Sequence, residues 1–411
     1  MPDESSYTRT TLAVWEITLR CNLSCSHCGS RAGRPRQGEL STREALDLVD
    51  QLAEVGIREV ALIGGEAFLR SDWLDIAAAI TGAGMVCSMT TGGYGLSAAT
   101  ARRMKHAGMR HVSVSVDGLE VAHDRLRGKQ GSFAAAFGAL RFLADADLLI
   151  GANTQINRLT APDLPELYES LKDVGVGAWQ IQLTVPSGNA ADRPEILLQP
   201  SELPDLYDML ARLAIRALRD EIALTPGNNI GYHGPYTELL VRAGASPAIG
   251  EGCLAGVTVL GIEADGTVKG CPSLPSQRYA GGNIRTQRLS EMLARSEELA
   301  INLRAPAAPR ETLWGFCQTC EFADTCRGGC TWTAHAFFGV PGNNPYCHHR
   351  ALVHANQGYR ERVVQVAAAP GVPFDNGIFE IVRESIDQPW PDDDRLRFSR
   401  HHVNWPARGR R

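Results

Sequence analysis

The sequence predicts an α/β protein: a partial, open (β/α)6 barrel, then a cysteine-rich domain carrying a β-hairpin and short helices. Three observations carry this. Over residues 11–220, short β-rich runs alternate with amphipathic helical segments, six βα units in all. The residues that do not belong in a core, namely clustered cysteines, paired glycines and carboxylates, fall where those strands end. Beyond about residue 225 the alternation stops, and Gly, Pro and Cys become dense. Repeated βα units imply a parallel sheet with right-handed crossovers. Eight would close a TIM barrel, so six leave a TIM-like barrel open.

The first strand, with Val14, Ile17 and Leu19, reaches Arg20. A helix over 41–55 is announced by Ser41 and Glu44, a capping box, and by Leu48, Val49, Leu52 and Val55 at helical spacing. Residues 60–63 read as the second strand, 72–82 as a helix and 85–91 as the third strand. A helix over 97–106 leads to 112–116, where valines alternate with Ser113 and Ser115. Ser132 opens a helix to about 145; strands at 148–156 and 178–185 flank a helix at 163–174, and a helix at 201–220 closes the series. Chemistry in such folds sits at the C-terminal strand ends. There the sequence has a cysteine cluster, Gly64-Gly65-Glu66, Thr90-Thr91-Gly92-Gly93, Asp117-Gly118 and Asn157, in strand order.

The expected division is a tail at 1–11, the barrel at 12–225, a linker at 226–250, the cysteine-rich domain at 251–350 and an extension at 351–411. Residues 257–262 and 267–271 read as a hairpin around Asp265-Gly266, a type I′ signal. The extension reads as a helix and then a Pro-rich, loosely patterned tail. Its basic end (Arg408, Arg410, Arg411) follows the acidic residues 392–394 and reads as a solvated tail.

A net charge of −5 gives no electrostatic case for nucleic acid or an anionic membrane. The polar start MPDESSYTRTT lacks the apolar stretch of a signal peptide, and no run of about 18 apolar residues exists. The expected location is therefore cytoplasmic. There, 11 cysteines serve metal or redox chemistry rather than disulfides.

Cys21, Cys25 and Cys28 set three thiols in one loop. Zinc or iron–sulfur would both suit thiolates. A structural zinc site wants a fourth ligand, and His27 is too tightly placed between ligands to supply it easily. Three ligands on a four-iron cluster leave one iron open.

The CX3CX2C spacing after the first strand resembles the radical S-adenosylmethionine (SAM) superfamily, and residues 12–190 look like its catalytic core. The resemblance implies a [4Fe–4S] cluster on Cys21, Cys25 and Cys28. Its open iron would bind the amino and carboxylate groups of SAM, and reductive cleavage would yield a 5′-deoxyadenosyl radical that takes hydrogen from a substrate. Gly64-Gly65-Glu66 resembles the family's GGE motif for the SAM amino group, with Ala67 where Pro is usual. Thr91 stands where the family's Thr-Asn-Gly has Asn. By the same resemblance Ser115 and Asp117 contact the SAM ribose or carboxylate, Arg127 pairs with the carboxylate, Leu183 touches adenine and His27 packs near it.

Cys253, Cys271, Cys317, Cys320, Cys326, Cys330 and Cys347 resemble the seven-cysteine pattern of the SPASM domain. That implies auxiliary cluster I on Cys253, Cys271 and Cys330, one thiolate short, and cluster II on Cys317, Cys320, Cys326 and Cys347. Three [4Fe–4S] clusters in all are expected. A zinc ribbon built on Cys317, Cys320, Cys326 and Cys330 is the alternative. Isolated Cys87 reads as a buried structural thiol.

Enzymes of this kind mostly modify ribosomally made peptides, with net oxidation, so a peptide substrate is expected. Only about a dozen residues precede the first strand, so leader recognition is expected from a separate protein or from the 351–411 extension, and a flavodoxin- or ferredoxin-type reductant is expected too. A small molecule or a protein side chain, oxidised as by a dehydrogenase or sulfatase maturase, is the alternative substrate. A non-catalytic iron–sulfur or zinc module is the alternative class, and it would need the cysteines but not Gly64-Gly65-Glu66. Tyr232, His233 and Tyr236 are candidates for acid/base or radical-relay roles, and no catalytic base is identifiable.

Overall fold

The computed structural model describes residues 11–227, 230–244, 252–302 and 309–390. Most of the expected N-terminal tail, part of the linker and the basic end of the extension lie outside them.

Ten strands form one sheet in the order β10-β9-β8-β1-β2-β3-β4-β5-β6-β7. Its parallel part comprises β1 (Leu12–Glu16), β2 (Glu59–Ile63), β3 (Val86–Thr91), β4 (His111–Ser115), β5 (Leu149–Ile156), β6 (Ala178–Leu183) and β7 (Ala223–Pro226). The connecting helices are α1 (Thr42–Glu54), α2 (Trp73–Gly82), α3 (Ala98–His106), α4 (Glu120–Arg127), α5 (Ser132–Asp145), α6 (Leu164–Asp173) and α7 (Leu203–Arg219). The capping box forms as the sequence predicts: the Glu44 amide donates to Ser41 Oγ, and the Ser41 amide donates to Glu44 Oε2 at 2.8 Å. Three elements differ from expectation. Strand β7 follows the helix that was to close the series; four residues ending in Pro226 are too short to show a period. Helix α4 precedes α5 where one helix was expected, because its apolar content is slight and its stop is Gly128 at φ 63°. The third is the hairpin.

That hairpin does not stand apart. Strand β8 (Val259–Ile262) pairs parallel to β1, with Val14 opposite Gly261, and β9 (Thr267–Lys269) and β10 (Ala280–Asn283) continue antiparallel. The turn is not type I′. Only Gly266 has positive φ, at 88°, while Asp265 Oδ1 accepts the Thr267 amide at 3.0 Å. A type I′ turn needs positive φ at both central residues.

The two sheet faces differ in chemistry. Ala13, Trp15, Val60, Leu62, Val112, Val114 and Val116 are wholly buried in the core. Residues on the other face follow from the register: Glu16, Ser88, Thr90, Ser113, Ser115, Asn153, Gln155, Gln180, Gln182, Thr225 and Lys269. A parallel sheet covered on both sides reads as continuous apolar runs. This one keeps a polar face, which is what a barrel lined for a polar ligand requires.

The extension is more ordered than its composition suggests. A helix, His348–Asn356, leads to an antiparallel hairpin, β11 (Tyr359–Ala367) and β12 (Ile378–Ser385). Phe379 packs edge-on to Phe337 at 5.5 Å, and the Val363 amide donates to Gln199 Oε1 at 2.8 Å. Buried Arg350 forks onto Glu361 at 2.6 and 2.9 Å, and His354 Nε2 lies 3.0 Å from the same carboxylate. Burial alone would raise the Glu361 pKa, but hydrogen bonds from His354 and Arg350 outweigh it and bring it from 4.5 to about 2. The pair therefore stabilises the fold fully above pH 4.5 and loses that contribution as pH falls towards 2. Glu361→Gln is expected to cost about 3–5 kcal/mol at pH 7, because it leaves Arg350 uncompensated. The gap between wild type and variant in denaturant melts should shrink below pH 4.5.

None of the described helices is long and apolar enough to cross a membrane.

Candidate active site

Strand β1 runs out through Thr18 and Arg20 into the first cysteine loop, and the β2 exit packs directly on it. The Gly65 amide donates to Thr18 O and the Glu66 amide to Arg20 O, both at 2.8 Å. A Cβ on Gly64 would collide with Thr18 O, and one on Gly65 with the Arg20 carbonyl. Glycine is required here for space, since neither residue has positive φ.

Glu66 is buried beneath this turn. Its Oε1 accepts from Thr91 Oγ1 at 2.6 Å and its Oε2 from the Gly92 amide at 2.9 Å. Burial raises its pKa from 4.5 to about 7 against those bonds and the more distant Arg127. The carboxylate is thus fixed in place and, among the described residues, forms no ion pair. Thr91 serves it as a positioning residue, its hydroxyl also accepting the Gly93 amide at 2.9 Å.

On the other side of the loop, α4 ends against the cysteines. The Ser26 amide donates to Leu126 O at 2.7 Å and the Ser24 amide to Arg127 O at 3.2 Å. Arg127 is 8% exposed, so it is not a surface arginine. Its Nε lies 2.7 Å from Asp117 Oδ2, and Nη1 lies 3.7 Å from Cys25 Sγ. Asp117 is wholly buried, and its Oδ1 accepts the Gln155 amide at 2.9 Å. Burial would raise the Asp117 pKa, but Arg127, His27 and His123 together hold it below the usual value. Asp117 and Arg127, which the family resemblance sets against SAM, also hold each other and the loop. Ser115 ends β4 on the polar face, half-buried, and Leu183 ends β6 fully buried. His27 Nε2 lies 3.7 Å from Asp117 Oδ2, and its buried Nδ1 has no hydrogen-bond partner among the described residues. Burial lowers its pKa to about 4, leaving the ring neutral.

The donor set fits an iron–sulfur cluster. Besides burial, Cys28 lies close enough to raise the Cys21 and Cys25 pKa values, and Cys21 to raise that of Cys25. Burial pushes the Cys25 thiol up to about 12, with Arg127 opposing, and the Cys21 thiol up to about 11. Such thiols ionise readily only against a metal, whose binding releases their protons. The other cysteines separate in the same way into two sets. Besides burial, Cys253 raises the pKa of Cys271 and Cys330, while Cys320 raises that of Cys317 and Cys326, and Cys317 and Cys326 raise that of Cys347. The second set lines one pocket with Phe316, Phe322, His233 and His349. Tyr232 lies between the sets: its hydroxyl accepts the Cys330 amide at 2.8 Å, and its pKa is raised well above 10 by burial and then by Cys330, Cys326 and Cys253. His233 stacks on Phe322 at 4.3 Å, and Tyr236 donates to Asp208. Cys87 is fully buried with its thiol pushed up to about 12, an inert structural residue.

Sequence reasoning missed the loop's other neighbours, among them Asn189, whose side chain donates to Cys25 O at 2.9 Å. Nothing in its local pattern marks it, since the contact crosses 164 residues.

Comparison with known proteins settles the family. A radical SAM superfamily model matches residues 15–171, and the SPASM iron–sulfur cluster-binding domain matches 253–321. The AdoMet-dependent heme synthase of Methanosarcina barkeri (strain Fusaro) is 30% identical over 350 residues, covering 82% of this chain and 96% of that one. This chain belongs to the radical SAM superfamily. The mycofactocin maturase MftC of Mycobacterium ulcerans is also 30% identical to this radical SAM protein, over 81% of it and 86% of the relative. In fold it resembles anSMEcpe with bound AdoMet and Kp18Cys peptide, with a TM-score of 0.65, 17% identity and coverage of 84% and 99%. It also resembles Streptococcus suis SuiB bound to S-adenosylmethionine, with a TM-score of 0.62, 15% identity and coverage of 83% and 76%. Its radical SAM and SPASM domains imply [4Fe–4S] and SAM binding.

Proposed function

We propose that this radical SAM/SPASM enzyme cleaves SAM at the Cys21–Cys28 loop and oxidatively modifies or crosslinks a ribosomally synthesised peptide. The observation that carries the reading is the convergence on one loop. The Gly64-Gly65-Glu66 turn is bonded to the residue before Cys21, and Arg127 reaches Cys25. Cys21, Cys25 and Cys28 would hold a [4Fe–4S] cluster with one iron open to SAM, and that cluster would supply the electron that splits the S–C5′ bond into methionine and a 5′-deoxyadenosyl radical. The chain's own residues prepare that event. Glu66 offers a fixed carboxylate for the SAM ammonium. Gly64 and Gly65 keep the turn close enough to the loop for it to reach. Ser115 offers a hydroxyl to the ribose, and neutral His27 offers aromatic surface to adenine, whereas Leu183 is wholly buried on the core face of β6 beside Ile156 and backs the site from behind. Arg127, held by Asp117, gives positive charge beside Cys25 and the SAM carboxylate.

The barrel is assigned to 12–225 and the auxiliary domain to 251–350. Cys253, Cys271 and Cys330 would hold one auxiliary cluster, with a fourth ligand other than Cys. Cys317, Cys320, Cys326 and Cys347 would hold the other. They would give the electron left after hydrogen abstraction a way out, while a flavodoxin- or ferredoxin-type reductant in the cytoplasm would supply the electron for SAM cleavage. The polar sheet face suits a substrate rich in amides, and the names of two similar proteins, a maturase and SuiB bound to precursor peptide SuiA, favour a peptide. A separate protein would present its leader. The heme synthase relatives favour a second reading, oxidation of a small molecule.

The test uses anaerobically reconstituted full-length protein. About 12 irons per chain are expected, falling to about 8 with loss of 5′-deoxyadenosine when Cys21, Cys25 and Cys28 are all replaced by Ala. Zinc in place of iron, or no SAM cleavage at full iron loading, would sink the reading. Mass change in a candidate peptide, against turnover of a small molecule, separates the two substrates.

A further inference from the structure

The extension at 351–390 has no part in the reading above, yet its β11–β12 turn reaches the cysteine loop. The Phe374 amide donates to Gly29 O, and the Gly188 amide donates to Asp375 O, both at 2.8 Å. Arg31, three residues beyond Cys28, sets Nε on Asp375 Oδ1 at 2.9 Å and Nη2 on Oδ2 at 3.2 Å. The same guanidinium spans Asp192 at 2.6 and 3.1 Å and donates to Asn189 Oδ1 at 3.0 Å. Asn189 completes the circuit, its side chain donating to Cys25 O and its amide to Cys28 O at 3.0 Å.

The turn is itself fixed. Asp375 Oδ2 accepts the Gly371 and Val372 amides. The Phe374 ring lies 3.8 Å from the Lys269 ammonium, on β9, two residues before Cys271. One short turn thus touches the first cysteine loop, the β6 exit and the strand entering the first auxiliary set. Arg31 (φ 48°) and Phe374 (φ 58°) both hold left-handed backbone, which disfavours a side chain. Such conformations persist where the surroundings over-determine them. Exposed ion pairs contribute little. Asp375, however, is buried and engaged by a two-pronged fork, which fixes direction as well as distance. The contacts fall on the backbone of 25–31, so they set the loop's path rather than fill a core.

We propose that the Phe374-Asp375 turn is a strap that positions the SAM-cleaving loop, with Asp375 acting through Arg31 and Asn189 on the backbone between Cys25 and Cys28. The inference rests on the reading of that loop as the SAM site. It assigns the extension to the reaction: Asp375 and Arg31 are positioning residues that touch neither SAM nor iron.

Hydrogen exchange on the full-length chain before reconstitution reads the strap without catalysis. In Asp375→Ala, the bonded amides of Ser26, Arg31 and Gly33 are expected to exchange faster, while those of β2 to β5 keep their protection. After reconstitution the variant should hold wild-type iron but lose about 10–100-fold in kcat/KM for SAM, chiefly through KM, with partial rescue by Asp375→Glu. Asp192→Asn, on the exposed side of the fork, should change little. Wild-type exchange at 26–33, wild-type SAM kinetics, or faster exchange across the whole sheet would each overturn the proposal. Wild-type protein that fails to cleave SAM, with the exchange difference intact, would instead overturn the reading of the site.

Discussion

Arg127→Ala is expected to be the most damaging single side-chain truncation in the barrel. It removes the cation from a wholly buried carboxylate, Asp117, and from the Cys25 thiol. Stranding one partner of a buried pair costs about 3–5 kcal/mol, more than the pair contributes over an apolar substitute. Chemical denaturation should show that loss, and iron analysis should show the first cluster depleted while the other cysteine sets retain theirs. A double variant separates charge from function. Arg127→Met with Asp117→Leu removes both charges and should recover most of the stability. It should not recover SAM cleavage, because nothing cationic then faces Cys25. Recovery of both would mean that the pair only braces the fold.

Much of this site is legible in the chain because its parts are local. CX3CX2C, Gly64-Gly65-Glu66 and Thr90-Thr91-Gly92 are each contiguous, and strand order brings them to one end of the sheet. The seven auxiliary cysteines are spread over residues 253–347, yet their spacing alone can be read. What escapes sequence reading is long-range and polar. Asp375 reaches Arg31 across 344 residues, and neither lies in a pattern that periodicity can register. Strand β7 and helix α4 are short and weakly apolar, so their placement comes from packing rather than from propensity. The Asp265-Gly266 pair shows the limit of a dipeptide signal: the strands suit a hairpin, but the bond from the Thr267 amide to Asp265 selects a different turn.

The glycines at the strand ends make a graded test of how closely β1 and β2 must approach. In Gly65→Ala the new Cβ would meet the carbonyls of Leu19 and Arg20, the backbone that leads into Cys21. Backbone cannot rotate aside as a side chain can, so the turn must lift and the bond from the Glu66 amide to Arg20 O must stretch. A loss of about 3 kcal/mol, the upper end for overpacking, is expected, with SAM cleavage abolished. Gly92→Ala meets Leu23 Cδ1 at 2.6 Å, the end of a side chain, and Glu66 Oε2 at 3.3 Å, so it should cost about 1 kcal/mol and lower SAM cleavage only in part. Gly33→Ala meets nothing within 4 Å and lacks positive φ, so it should be neutral although it lies in the same loop region. Thermal melts and 5′-deoxyadenosine yield on the three variants would rank them. If Gly65→Ala cleaved SAM as well as Gly33→Ala does, the tight approach of Glu66 to the cysteine loop would not be what orients SAM, and the weight of the site would shift to Arg127 and Asp117.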